Sequence, residues 1–210
     1  MYVVMGAIVG GAAGLTACLL AARLLERYGD EAPIGEGGSR LVVALVALAV
    51  ALLGGYAGWR VGSWATILST VVVTAICFAV SLIDLRVRRI PNILVCALAI
   101  WGLAQTLLLQ RPAFSDALLG ALVGGGTFAL LFVLGRGAMG AGDVKFVAAS
   151  GLLLGVPMIL YGMLWGILFG GIAALLLLAS RRAGRKDPMA YGPYLALGVW
   201  VAWIWQHVLV

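Results

Sequence analysis

Two short stretches hold residues able to do chemistry: "LIDLRVRRIPN", Leu82 to Asn92, and "MGAGDVKFVA", Met139 to Ala148. Each places an aspartate, Asp84 or Asp143, in a region from 41 to 180 where charged residues are sparse. An ionisable group at membrane depth costs roughly 2.5 kcal/mol or more, so its retention there points to function. Two carboxylates in a partly desolvated site can share one proton, one acting as base on a water and the other as acid toward a carbonyl oxygen. That is peptide-bond hydrolysis of the aspartic type. The same pair can instead serve as a proton or cation relay in a transporter, or simply cap helices, with Asp143 as the N-cap of the helix that follows it. A relay favours acids near the membrane midplane and an internal repeat, and neither is evident here. Gly140 and Gly142 permit backbone angles that a Cβ would forbid and let another segment approach closely. Ile90-Pro91-Asn92 forces an extended residue before the proline and a fresh helix start.

Other chemistries lack their residues. The chain has one histidine, His207, and three cysteines, Cys18, Cys77 and Cys96, all in apolar runs and with no CxxC pair. No histidine is placed to activate a serine or cysteine, and no zinc ligand set is available, so no metal or other cofactor is expected. The cysteines read as packing residues.

The elements that must carry the aspartates are membrane spans. Of 210 residues, 64% are hydrophobic and 10% charged, and the mean hydropathy is +1.13, more apolar surface than a soluble core absorbs. Crossing a hydrocarbon layer about 30 Å thick takes about 20 apolar residues. The pattern predicts an all-α membrane protein, a single domain over 1–210, with eight transmembrane helices at about 2–25, 41–58, 62–83, 92–109, 115–134, 144–155, 157–179 and 191–209. Short alternating strands, the mark of a β-barrel, are not visible. The N-terminal run lacks a basic leading region and ends in charge, so it reads as a retained span rather than a signal peptide. The net charge of +6 comes from basic residues scattered between apolar segments, an orientation signal for the lipid bilayer rather than a nucleic-acid surface.

Charge also decides whether Val144 to Ser180 crosses once or twice. With a hairpin at Gly155 to Pro157, one face collects Arg23, Arg27, Arg40, Arg86, Arg88, Arg89, Arg136, Lys145, Arg181, Arg182, Arg185 and Lys186, leaving only Arg60 and Arg111 of the 14 basic residues on the other. Loops rich in lysine and arginine stay in the cytoplasm. Both termini are therefore expected outside it, and both aspartates at its edge. The sixth span, only about 18 Å long at 1.5 Å per residue, must tilt, thin the bilayer or start below the surface. The remaining acids, Glu26, Asp30, Glu31, Glu36, Asp116 and Asp187, read as solvated loop charges.

"GAGDVKF" resembles the GxGDxK signature of the type IV prepilin peptidases, membrane aspartic proteases that remove the leaders of prepilins and pseudopilins. "DLRVRRIPN" is similar to the motif in which that family's first catalytic aspartate precedes an Ile-Pro-Asn or Leu-Pro-Asp turn, and "YGPYLALG", Tyr191 to Gly198, to its GPxLALG segment. The resemblance implies an inner-membrane enzyme with Asp84 and Asp143 as its dyad and Gly140 and Gly142 shaping the second segment of the site. Pro91, Asn92, Gly192 and Pro193 belong to the matching motifs, and Gly192-Pro193 is also an ordinary helix-start signal. Lys145 would stabilise an ionised Asp143 or bind lipid phosphate. The implied partner is a prepilin or pseudopilin whose scissile bond follows a glycine; the alternative is an idle scaffold for pilus assembly. Larger members carry a long cysteine-containing first loop and an N-methyltransferase activity. Here that loop is about Glu26 to Arg40 and has no cysteine, so cleavage without methylation is expected. The oligomeric state and the pilus system stay open.

Overall fold

The computed structural model describes residues 1–27, 38–135, 139–180 and 189–209. Among them are eight α-helices and no strand. The helices are α1 (Tyr2–Arg27), α2 (Gly38–Arg60), α3 (Trp64–Val87), α4 (Asn92–Leu109), α5 (Phe114–Leu134), α6 (Ala141–Leu154), α7 (Met158–Ala179) and α8 (Gly192–Ile204), the last continuing as a π-helical turn, Trp205–Leu209. Five of them, α1, α3, α4, α5 and α7, are long and apolar enough to cross a membrane. The loop residues Asp30, Glu31, Glu36, Arg136, Arg181, Arg182, Arg185, Lys186 and Asp187, and most of the segment from Glu26 to Arg40, lie outside the described residues.

Each expected span is a helix, but two ends differ in ways that matter to the aspartates. Helix α3 does not stop at 83. It runs to Val87 and closes on Arg88, whose left-handed backbone (φ 51°, ψ 42°) lets its N–H donate to the Asp84 carbonyl oxygen at 2.9 Å. Apolarity marks where a helix meets hydrocarbon and not where its backbone hydrogen bonds end, so Asp84 lies inside the helix. Helix α6 likewise starts at Ala141, ahead of Asp143. The hairpin is present: α6 ends at Leu154, and Gly155 adopts φ +66°, a turn conformation open to glycine, before α7 begins at Met158.

Glycines bring several helix pairs into backbone contact. In α1 and α2, a Cβ on Gly14 would lie 2.7 Å from the Ala47 Cα, and Gly6 meets Gly54. Gly120 of α5 faces Gly151 of α6, and Gly198 of α8 faces Gly162 and Gly166 of α7. Small residues permit this approach where lipid supplies no hydrophobic drive between helices. Not every glycine in the candidate stripes serves this purpose. Gly124, Gly125, Gly166 and Gly170 meet neighbours closely, whereas Gly126 and Gly171 face open space. Helix α3 packs on α1, α2 and α8, and α4 on α6. A polar tie from Trp200 Nε1 to Thr74 Oγ1, 3.0 Å long, joins α8 to α3.

Ile83, Leu98, Phe128, Phe146, Leu153 and Leu195 fill the interior between these elements. Outward faces carry Ile8, Leu52, Leu107, Leu130 and Leu175, all exposed, a surface suited to hydrocarbon rather than water. Gly151→Ala should therefore lower the stability of the detergent-purified protein by about 1–3 kcal/mol through overpacking against Gly120. Gly126→Ala should leave it unchanged or slightly raised, and thermal unfolding of the two variants side by side checks the contrast.

Candidate active site

Asp84 and Asp143 are 5% and 8% exposed, the two carboxylates buried among the described residues. They arrive from different directions: Asp84 from the last turn of α3, and Asp143 from the first turn of α6. Both line one cavity of about 350 Å³, together with Arg88, Arg89, Ile90, Asn92, Gly140, Ala141, Gly142 and Lys145.

Each carboxylate is held by a backbone N–H. The Gly192 N–H donates to Asp84 Oδ2 at 2.9 Å across 108 positions of sequence. Helix α8 starts at this residue, and Pro193, which has no N–H to satisfy, occupies the first turn where proline is tolerated. A Cβ on Gly192 would sit 2.7 Å from the same oxygen, so only glycine leaves room for the carboxylate. On the other side the Gly140 N–H donates to Asp143 Oδ2 at 3.0 Å. Asp143 is thus not the N-cap of α6. Gly140 is, and Asp143, the third helical residue, reaches back to it as the acidic half of a capping box does. Among the described residues these backbone N–H groups are the hydrogen-bond donors seen on the two carboxylates.

The glycines near Asp143 act through space rather than through unusual angles. Gly140 has an ordinary extended backbone (φ −78°, ψ 144°). Gly142 packs against Ile90, where an added Cβ would come within 3.2 Å of the Ile90 Cβ. Pro91 is the N-cap of α4, with an extended backbone (φ −63°, ψ 130°), and Asn92 is its first residue, so the fresh helix start falls where the motif places it. Lys145 does not pair with Asp143: its Nζ donates to Asn92 Oδ1 at 3.2 Å, linking α6 to α4.

The structure thus brings seven of the nine singled-out residues to this cavity or its wall: Asp84, Asn92, Gly140, Gly142, Asp143 and Lys145 line it, and Gly192 stands behind Asp84. Pro91 and Pro193 only shape helix starts. Arg88 and Arg89, read from sequence as orientation signals alone, line the cavity as exposed cations. Their clustering after Asp84 was the available signal. Tyr191 sits at the N-cap of α8 with its ring over Gly170. Among the described residues no three His, Cys, Asp or Glu side chains gather into a metal site.

Fold and site together define an all-helical protein, five of whose helices are long and apolar enough to cross a membrane, with a carboxylate pair in a cleft at one end of the bundle. Residues 71–175, which include both aspartates, match the type IV leader peptidase family, and the chain belongs to that family. Similar proteins include the prepilin leader peptidase/N-methyltransferase of Pseudomonas aeruginosa, 34% identical over 166 residues, 77% of this chain and 57% of the relative. The proteins of the same name from Xanthomonas campestris pv. campestris (34% over 172 residues, 79% and 60%) and Bacillus subtilis (26% over 163 residues, 78% and 66%) are also similar. This chain therefore spans less than two thirds of the length of these relatives. No solved structure matches it at a significant level.

The contact at Gly192 is testable without any activity. Gly192→Ala should cost about 1–3 kcal/mol by forcing the new methyl into Asp84. Lys145→Met, which removes an exposed link, should cost under about 1 kcal/mol. Thermal unfolding of both purified variants reads the difference.

Proposed function

We propose that this protein is a leader peptidase that hydrolyses the peptide bond after a glycine in a prepilin or pseudopilin, at the cytoplasmic face of the inner membrane. The observation that carries this reading is the meeting of Asp84 and Asp143 at one cavity, each with one oxygen pinned by a backbone N–H. Family membership and the names of the similar proteins support the substrate class. The proposal covers hydrolysis alone, although those names also include a methyltransferase.

The chemistry follows from the pair's surroundings. Two like charges at one site disfavour each other, so in this mechanism the pair works with one proton shared between the carboxylates. The ionised carboxylate takes a proton from a water whose oxygen adds to the scissile carbonyl carbon. The protonated partner gives its proton to the carbonyl oxygen. Collapse of the resulting diol breaks the C–N bond: one diol hydroxyl gives its proton to the ionised carboxylate, the leaving amine takes a proton from the carboxyl group that accepted one from water, and the pair again holds a single proton. The N–H groups of Gly140 and Gly192 hold one oxygen on each side, leaving the other free to work in the cavity.

Orientation rests on charge. Arg23, Arg27, Arg86, Arg88, Arg89 and Lys145 fall at helix ends on the dyad side of the alternating helices, and Arg60 and Arg111 at the other. The positive-inside rule then puts the dyad at the cytoplasmic edge and both termini across the membrane. All eight helices would cross, with α6 short and α8 extended by its π-helical turn. A substrate's apolar helix would lie in the bilayer beside the bundle while its basic leader stayed in the cytoplasm.

Asp84→Asn and Asp143→Asn should each reduce leader removal from a co-expressed prepilin by at least about 100-fold at matched membrane levels, the scale of lost acid–base catalysis. Wild-type cleavage should persist in a chelator. Gel shift and the N-terminal mass of the pilin read the result, and wild-type rates in both variants would reduce the aspartates to helix-end supports. For orientation, Arg89→Cys in a Cys96→Ser background should react with an impermeant maleimide in inverted vesicles but not in intact spheroplasts; the opposite pattern would reverse the topology.

A further inference from the structure

A second polar cavity, of about 270 Å³, opens at the far end of the bundle between the start of α3, the end of α4 and the end of α8. Ser69, on its wall, lies about 22 Å along α3 from Asp84 at 1.5 Å per residue. The dyad has no use for it. Two of its lining side chains are buried without partners among the described residues: the Oε1 of Gln105, which is 4% exposed, and the Nε1 of Trp203, which is 0% exposed. A buried polar group left unpaired costs about 1–3 kcal/mol, so such groups gathered at one cavity suit a ligand that satisfies them.

The lining states what that ligand must bring. Trp203 offers an N–H, and its ring stacks on His207 with centroids 3.7 Å apart. Arg111 adds a fixed positive charge, and the hydroxyls of Thr66 and Ser69 add donors. Gln105 Oε1 needs a donor from the ligand. Among the described residues no carboxylate lines the cavity to receive an ammonium group. Beside it runs an apolar groove of about 180 Å³, lined by Leu68, Trp101 and Leu108 and sharing Ser69, Gln105 and Leu109 with the cavity. Leu68 and Leu108 are exposed, so the groove lies on the outer surface.

We propose that this cavity binds the headgroup of a phospholipid of the phosphoglycerol class, with one acyl chain along the adjoining groove, in the leaflet opposite the dyad. The phosphate accepts hydrogen bonds from Arg111 and from the Trp203 N–H, and a glycerol hydroxyl donates to Gln105 Oε1. Choline has no donor to offer Gln105, and ethanolamine finds no anion for its ammonium. Indole rings belong at this depth, where one edge is apolar and the other wet.

Native mass spectrometry of the purified full chain, released from bilayers holding equal phosphatidylglycerol, phosphatidylethanolamine and phosphatidylcholine, tests the assignment. One phosphatidylglycerol should be retained in preference to the other two. Arg111→Gln and Gln105→Leu should each lower that preference about tenfold, equivalent to about 1.4 kcal/mol, and Arg111→Lys should keep most of it. Glycerol 3-phosphate, which has no acyl chains, should fail to displace the lipid at millimolar concentration. Equal retention of the three lipids by the wild type, or an unchanged preference in a folded Arg111→Gln variant, overturns the proposal. Displacement by glycerol 3-phosphate would mean a site for a free phosphate ester and would overturn the lipid assignment. If either variant fails to fold, the wild-type lipid ranking decides.

Discussion

Helices bathed in hydrocarbon gain nothing from hiding leucines against one another, because lipid tails are equally apolar. Cohesion must come from closeness, and this bundle obtains it by omitting side chains. At Gly6 and Gly54, Gly120 and Gly151, and Gly198 and Gly162, one backbone rests on another. These contacts define three close pairs, α1 with α2, α5 with α6 and α7 with α8, against which α3 and α4 are laid. Helix α4 is seated by the same device, with Gly102 against the backbone at Leu153. The positions of α3, α6 and α8 at the cleft are thus set by contacts well removed from it.

What those positions accomplish is an unusual division of support. Each aspartate is hydrogen-bonded by the main chain of another segment or of its own helix start. The donors at Gly140 and Gly192 are main-chain N–H groups, which do not titrate and cannot swing away. Their helices fix them in direction, and a preorganised donor needs no rearrangement when charge shifts between the carboxylates. The cationic side chains, Arg88, Arg89 and Lys145, stand on the exposed rim, with Lys145 restrained by Asn92.

The pair of aspartates was legible in sequence because charge is rare in the apolar regions, and the hairpin at Gly155 because helix parity and basic residues agree only if it exists. What stayed hidden was long-range geometry. Nothing in "YGPYLALG" says that its glycine faces Asp84, since an ordinary Gly-Pro helix start accounts for the same letters. Nor does "GAGDVKF" show whether Asp143 precedes its helix or sits in the first turn; a carboxylate can satisfy a helix N-terminus from either place. The end of α3 escaped a reading based on apolarity because Leu85, Arg86 and Val87 keep helical hydrogen bonding after the hydrophobic run has ended. The fate of single glycines was also illegible: Gly125 and Gly126 are neighbours in one run, yet one meets Ala148 and the other meets nothing within 4 Å.

The hydrogen bond between Gly192 and Asp84 also bears on the order in which the chain is made. Asp84 leaves the ribosome more than a hundred residues before the N–H that holds it, and Asp143 is synthesised between the two. At the 5–20 residues per second of translation, this interval lasts several seconds or more. During it the seven preceding helices are completed while the Asp84 carboxylate still lacks its tether. The last helix therefore does more than lengthen the bundle. Its arrival completes the cleft, so a partly made copy in the membrane holds both acids without the geometry that joins them.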